Sequence, residues 1–327
     1  MTGNVLEVRD LSVQYADGQK RVQANDRVSF SLKRGGVLAI VGESGCGKTT
    51  AALAVLGLLP HAGRVTGGEV RFDGRDLLSL REDELRRVRG RAISMIFQDP
   101  ASGLNPVLSV GQQVEEIITA HTSVRRREAH GMVLDALHRV GLADPERLAK
   151  RYAHELSGGM SQRVLIAIAT VLNPAIVIAD EPTSALDVTV QAGILDELRR
   201  LRDERGVSIL LITHDLGVVA QMAEEVVVLY AGRVAEDGPT RDVLRRPRHP
   251  YTWSLLETLP RLDREKRPLE SIRGAPPDLT ELTEECAFVP RCRKAVMTCR
   301  TAPSPAPAEA APGHLVACYN PVVHPEE

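Results

Sequence analysis

Apolar runs bounded by turn residues set the rhythm of the chain. Val37 to Val41, Ile93 to Phe97, Ala175 to Ala179, Val207 to Thr213 and Glu225 to Tyr230 each read as a strand. The segments Val188 to Arg205 and Leu216 to Met222 between the last three read as helices, and strand alternating with helix predicts a mostly parallel sheet. Ahead of the first run, Val5 to Tyr15 and Val22 to Leu32 read as strands joined around Asp17-Gly18, a hairpin-type dipeptide, so an antiparallel flap is expected there. Glu69 to Phe72 adds a short strand closed by Asp73-Gly74. The capping-box spacing from Ser79 to Glu82 predicts a short helix over Glu82 to Val88.

From Asp99 to about Asn173 the pattern is helical, with Gly111 to Ala120 and Arg125 to Val140 as its main segments and no evident strand. This stretch reads as a helical subdomain inserted into an α/β core. Beyond Arg246 proline becomes frequent, and Thr301 to Pro312 is a Pro/Ala-rich tract with the composition of a loop or spacer. The expected division is a core of residues 1–98 and 174–245, a helical subdomain at 99–173 and a small extension at 246–327.

Gly42-Glu43-Ser44-Gly45-Cys46-Gly47-Lys48-Thr49-Thr50 follows the first apolar run and precedes Ala51 to Leu59, a segment rich in helix formers. Strand, glycine-rich loop and helix form the context in which G-x-x-x-x-G-K-[ST] cradles phosphate. The glycines let successive N–H groups face one anion, and the helix adds the positive end of its dipole. Lys48 is expected to reach the β- and γ-phosphates, and the Thr49 hydroxyl to take one position on Mg²⁺. Cys46 falls at a variable loop position. It reads as tolerated there; the secondary reading is a thiol whose pKa the helix N-terminus depresses and whose alkylation blocks ATP.

Ile176 to Ala179 leads into Asp180-Glu181. A buried strand ending in two acids presents Asp180 to a Mg²⁺ shell and Glu181 to a water beside the γ-phosphate. Asp203-Glu204 is the same type of dipeptide without an apolar strand before it, and reads as surface. Ser157 is a good N-cap for a helix from Gly158 to Leu172, and Gly158 and Gly159 expose N–H groups at its positive end. One helix terminus suffices for one triphosphate, so a second anion site suggests a nucleotide presented by another subunit.

At 327 residues the chain has ample material for a core. Its net charge of -2 gives no global basic field, which argues against nucleic acid as a partner. The apolar runs fall short of the roughly 18 residues of a membrane span. Met1-Thr2-Gly3-Asn4 lacks the basic and apolar regions of a secretory signal, so the cytosol is the expected compartment. Cys286, Cys292, Cys299 and Cys318 crowd toward the C-terminus, and in a reducing compartment such a cluster reads as a metal site rather than a disulfide framework.

In motif order, residues 5–245 resemble the nucleotide-binding subunit of an ABC transporter, with Leu156-Ser157-Gly158-Gly159-Met160-Ser161-Gln162-Arg163 as the most diagnostic stretch. Met160 stands where the family signature usually has Gln, a departure that occurs in its peptide-importer branch. The resemblance implies an ABC-type P-loop NTPase fold. It implies that Tyr15 stacks on adenine while Gly42, Ser44, Gly45, Cys46, Gly47, Lys48, Thr49 and Thr50 bind the phosphates. By the same resemblance Gln98 senses Mg²⁺ and the membrane partner, joining Thr49 and Asp180 around the metal. Ser184-Ala185-Leu186-Asp187 resembles the D-loop, and His214 the switch histidine on the γ-phosphate. Glu181, His214, Gln98 and Lys48 are the implied catalytic set. Two modules would close head to tail, with Ser157, Gly158, Gly159 and Asp187 of one touching ATP held by the other.

Arg246 to Leu256 resembles the stretch that opens the C-terminal extension of oligopeptide and dipeptide importer ATPases. The cysteine spacing C-x5-C-x6-C-x18-C suits four thiolates on a [4Fe–4S] cluster or on Zn²⁺ and does not choose between them; the resemblance favours iron–sulfur. A metal staple suits a Pro-rich extension with few aromatics. The implied partners are two membrane permeases, a second ATPase subunit, identical or paralogous, and indirectly an extracytoplasmic substrate-binding protein. All would assemble at the cytoplasmic face of the membrane. Peptides, glutathione and nickel stay open as the solute. A non-transport ABC ATPase of translation or DNA repair is the other class, disfavoured by the single module and the compact insertion. A cluster acting as a redox gate on transport is a third reading.

Overall fold

The computed structural model of the protein describes residues 3–17, 20–184, 186–258 and 272–324. Gly18 of the expected flap turn, Ala185 of the expected D-loop, and Pro260 and Pro268 of the extension lie outside them. Two compact units are present. One comprises the described residues of Met1–Val5, Leu32–Val37 and Ser79–Ile212, the other those of Leu6–Ser31, Leu38–Leu78 and Thr213–Glu327.

In the second unit the flap is a four-stranded sheet in the order Lys20–Lys33, Asn4–Asp17, Gly63–Phe72, Arg75–Asp76. Asn4–Asp17 and Gly63–Phe72 run antiparallel from Leu6 opposite Phe72 to Tyr15 opposite Gly63, with a bulge between Arg9 and Val13. The expected strand Glu69 to Phe72 is therefore longer than its sequence suggests. Gly67 and Gly68 lie at the bulge and leave the ladder intact on either side.

The wholly buried strand Val37–Val41 pairs in parallel with Glu225–Tyr230, Leu38 opposite Glu225 and Val41 opposite Val228. Glu225–Tyr230 is antiparallel to Arg233–Pro239, which is antiparallel to His314–Val316, which pairs in turn with Ala308–Ala311. The tract expected as a loop or spacer thus holds a strand. Its prolines, at 303, 305, 307 and 312, flank Ala308–Ala311 and leave its N–H groups free to pair. Tyr230, Tyr251 and Phe288 are buried in the apolar core of this unit together with Val41, Val226 and Val228.

In the other unit Ile93–Ile96, Ile176–Asp180 and Ser208–Thr213 form parallel pairs, with Ile93 opposite Ile176 and Ile176 opposite Ser208. No strand interrupts 99–173 among the described residues. Helices Val110–His121, Arg126–Arg139 and Gly158–Thr170 pack pairwise there. The helix Glu82–Val88 forms as expected, but its cap is Arg81, whose N–H donates to Glu84 Oε2 at 3.2 Å, rather than a box from Ser79 to Glu82.

Candidate functional site

The loop Gly42 to Gly47 joins the strand Val37–Val41 to the helix Lys48–Val55. Gly47 is the helix N-cap at φ 100°, and a Cβ there would run into the carbonyl oxygen of Ala24. A Cβ on Gly42 would likewise meet the carbonyl oxygen of Leu229. Asn25 Nδ2 donates to the Gly47 carbonyl at 3.1 Å, and the Gly232 N–H donates to the Cys46 carbonyl at 3.0 Å. Lys48 is buried, and its Nζ donates to the carbonyls of Gly42 (2.8 Å) and Glu43 (3.0 Å). Ser44, Gly45 and Thr49 are exposed. Tyr15 of the flap brings its hydroxyl to 3.5 Å from Thr50 Oγ1, so the expected adenine-stacking ring stands beside the start of this helix. A fixed glycine loop leading into a helix N-terminus with a buried ammonium is suited to a polyphosphate anion.

Cys46 departs from expectation. It is buried, and burial pushes its thiol pKa up, with the Lys48 ammonium acting in the opposite sense. The depressed, alkylation-prone thiol read from the helix N-terminus is therefore corrected: desolvation outweighs the dipole here.

Glu43 was given no role by the motif, yet the loop is gripped through it. Its N–H donates to the Tyr251 hydroxyl at 2.9 Å, and its carboxylate accepts from Arg291 Nη1 (2.6 Å) and Nη2 (2.8 Å). An acid inside an anion-binding loop calls for a countercharge, and that was the available signal. Nothing in the spacing says which cation supplies it.

In the other unit, Asp180 ends its strand buried, and Glu181 follows at φ 45°, donating its N–H to the Ile212 carbonyl at 2.8 Å. Left-handed backbone at a glutamate costs about 1–2 kcal/mol, a strain typical of functional positions. Gln98 Nε2 donates to Glu181 Oε2 at 3.1 Å. Ser157 is exposed and caps the helix Gly158–Thr170, its Oγ accepting from the Met160 N–H at 3.4 Å. Gly159 lies so near Val190 that a Cβ would stand 2.8 Å from Cγ1. Asp187 Oδ1 accepts from the N–H groups of Thr189 (3.0 Å) and Val190 (2.9 Å), capping the helix Val188–Arg205. His214, in the unit of the phosphate loop, is exposed after the buried Thr213. The structure thus joins Tyr15 with the phosphate loop, and Gln98 with Glu181.

Cys286, Cys292, Cys299 and Cys318 line one cavity with His249 and Phe288. Burial pushes the Cys318 thiol up to about 11, and raises Cys286 and Cys292 as well. The donor set is right in kind for a thiolate-held group. As positioned, however, no group of three or more His, Cys, Asp or Glu side chains among the described residues is arranged to hold a metal ion. The expected cluster or zinc geometry is not met by these thiols. Among the described residues no helix is long and apolar enough to cross a membrane.

The family described as "ABC transporter" matches residues 25–184, and "Oligopeptide/dipeptide transporter, C-terminal region" matches residues 235–299. The oligopeptide transport ATP-binding protein OppD of Salmonella typhimurium is 47% identical over 319 residues, covering 97% of this chain and 94% of the relative. The dipeptide transport ATP-binding protein DppD of Bacillus subtilis is 47% identical over 296 residues, covering 90% and 88%. Among solved structures, the dimeric post-hydrolysis state of the ATP-binding cassette MJ0796 bound to ADP and Pi is similar at a TM-score of 0.65 and 31% identity, covering 72% of this chain and 99% of that one.

Proposed function

The chain belongs to the ABC transporter ATP-binding family, and from that premise we propose that it is the ATP-hydrolysing subunit powering an importer of oligopeptides or dipeptides. The observation that carries this is the presence in one chain of both the ABC transporter region and the oligopeptide/dipeptide C-terminal region, with relatives similar along nearly its whole length.

In this reading Lys48 and the backbone N–H groups at the start of its helix bind the phosphates, and Tyr15 packs on adenine. Thr49, Gln98 and Asp180 supply the hard oxygen donors that Mg²⁺ takes. When bound, Mg²⁺ neutralises charge on the β- and γ-phosphate oxygens. Glu181 accepts a proton from the attacking water, oriented by the Gln98 amide, and His214 holds the γ-phosphate. A second ATPase subunit, identical or paralogous, supplies its own Ser157-Gly158-Gly159 equivalent to this nucleotide, and receives Ser157, Gly158, Gly159 and Asp187 in return. The dimeric MJ0796 cassette supports that arrangement. Two permeases bind the pair at the cytoplasmic face, and an extracytoplasmic binding protein delivers the peptide. Cys286, Cys292, Cys299 and Cys318, which line one cavity, are the residues that would hold a [4Fe–4S] cluster or Zn²⁺ once drawn closer than the positions they take here, and no step of hydrolysis runs through such a group.

The test is ATP hydrolysis by the subunit assembled with co-expressed permeases in vesicles. Stimulation by a peptide-loaded binding protein is the expected result. Hydrolysis insensitive to peptide overturns the solute, and absence of hydrolysis in the assembled complex overturns the enzyme.

A further inference from the structure

Glu43 is held at three different groups. Its N–H donates to the Tyr251 hydroxyl, its carbonyl accepts from Lys48 Nζ, and its carboxylate takes both terminal nitrogens of Arg291. Fixing the N–H and the carbonyl fixes the peptide planes on both sides of this residue, and so the direction in which the next loop N–H groups point.

The groups that hold Glu43 are themselves immobilised. The Arg291 side chain is only 5% exposed. Its Nε donates to the Arg273 carbonyl at 3.0 Å, Nη1 also donates to the Tyr230 hydroxyl at 3.3 Å, and the guanidinium lies 5.8 Å from the Tyr230 ring centroid. A bidentate guanidinium whose Nε and second Nη1 hydrogen are also engaged is a rigid fork that a lysine cannot imitate. Tyr251 is fully buried, with its ring 4.5 Å from that of Tyr230 and 5.5 Å from that of Phe288. Electrostatics points the same way. A bare carboxylate in a loop that cradles a triphosphate repels it, and the Arg291 charge cancels that repulsion where salt and water screen little.

Building on the ATP-site reading above, we propose that Arg291 and Tyr251 are positioning residues of the nucleotide site: the C-terminal extension grips Glu43 and thereby sets the affinity of the phosphate loop for ATP. Neither residue touches the nucleotide; both act through Glu43.

The test uses the full-length protein and measures the Kd for MgADP by calorimetry, together with KM and kcat for ATP. Arg291→Gln is expected to weaken nucleotide binding and raise KM about tenfold, with kcat within about twofold of wild type. Tyr251→Phe keeps the ring and its packing, and is expected to weaken binding about threefold. The double variant Glu43→Gln/Arg291→Gln removes both charges and is expected to recover to within about threefold of wild type, a rescue that loss of a mere brace does not produce. Wild-type affinity in Arg291→Gln and Tyr251→Phe overturns the proposal, as does a double variant as weak as Arg291→Gln. If Arg291→Gln does not fold, Tyr251→Phe and the single Glu43→Gln decide, because loss of the carboxylate alone must leave binding at least as strong as in Tyr251→Phe. A wild-type protein that binds no nucleotide instead removes the ATP-site reading itself.

Discussion

The Gln98 amide donates to the Glu181 carboxylate at 3.1 Å, joining the residues that follow two neighbouring parallel strands. That bond engages one oxygen of an acid whose backbone is left-handed and whose N–H is held by the Ile212 carbonyl. Glu181→Gln preserves size and removes the base. It is expected to leave ATP affinity within about twofold and lower turnover about a thousandfold. Equilibrium binding and steady-state hydrolysis on the same preparation check this, and turnover near wild type removes Glu181 from the base role.

A hydrolysis-deficient background makes the second nucleotide contact measurable. ATP is expected to drive Glu181→Gln subunits, alone or with the paralogous partner, into a dimer seen by size-exclusion chromatography. Ser157→Arg added to that background should abolish the dimer while each subunit still binds ATP. Dimerisation that ignores Ser157 means that the exposed end of the helix Gly158–Thr170 is only a cap.

The burial of Cys46 sets its reactivity. Iodoacetamide labelling of the folded protein, followed by peptide mass spectrometry, is expected to modify Cys46 about a hundredfold more slowly than in urea. Rapid labelling in the native state would show that the helix dipole prevails over desolvation after all.

Iron, acid-labile sulfide and zinc on protein purified without oxygen decide what the C-terminal cavity takes. About four iron and four sulfide per chain identify a cubane, and about one zinc a tetrahedral knuckle. Serine at Cys286, Cys292, Cys299 and Cys318 is the control. Wild type with neither metal leaves the cavity a packing feature.

Burial raises the carboxyl pKa of Asp237 to about 6, with the Glu225 charge adding to the rise and His314 opposing it. The folded value lies above the unfolded one, so this group's stabilisation is present at low pH and is lost as pH rises from about 4 through about 6. Asp237→Asn lacks that loss. The stability of the variant relative to wild type is expected to improve on the order of 2 kcal/mol between about pH 4 and pH 7.5 by denaturant titration. A difference that does not change with pH refutes it.

Much of the fold was legible because its signals are local. Five apolar runs, the glycine spacing before Lys48 and the acids after Ala179 each announce an element within ten residues. Arg233–Pro239 was not read as a strand, since Glu236-Asp237-Gly238-Pro239 has the composition of a turn, and only its pairing on both sides makes it one. Met160, the departure from the usual signature, contributes its backbone N–H to the Ser157 cap, so its side-chain identity left that helix start unchanged. Arg291 was invisible for a different reason. It meets Glu43 across 248 positions, and no periodicity reports a contact of that separation.

The pairing of His314–Val316 with Arg233–Pro239 makes the extension part of the sheet it follows. The Glu236 carboxylate, wholly buried, accepts from the N–H groups of Arg248 and His249 and lies 2.7 Å from His314 Nε2. Truncating the chain after Arg245 would strip a sealed-in acid of all three partners and bare an edge strand. Chimeric subunits that exchange tails between related importers are therefore expected to need Arg233–Pro239 exchanged with them, the tail and that strand acting as one transplantable unit.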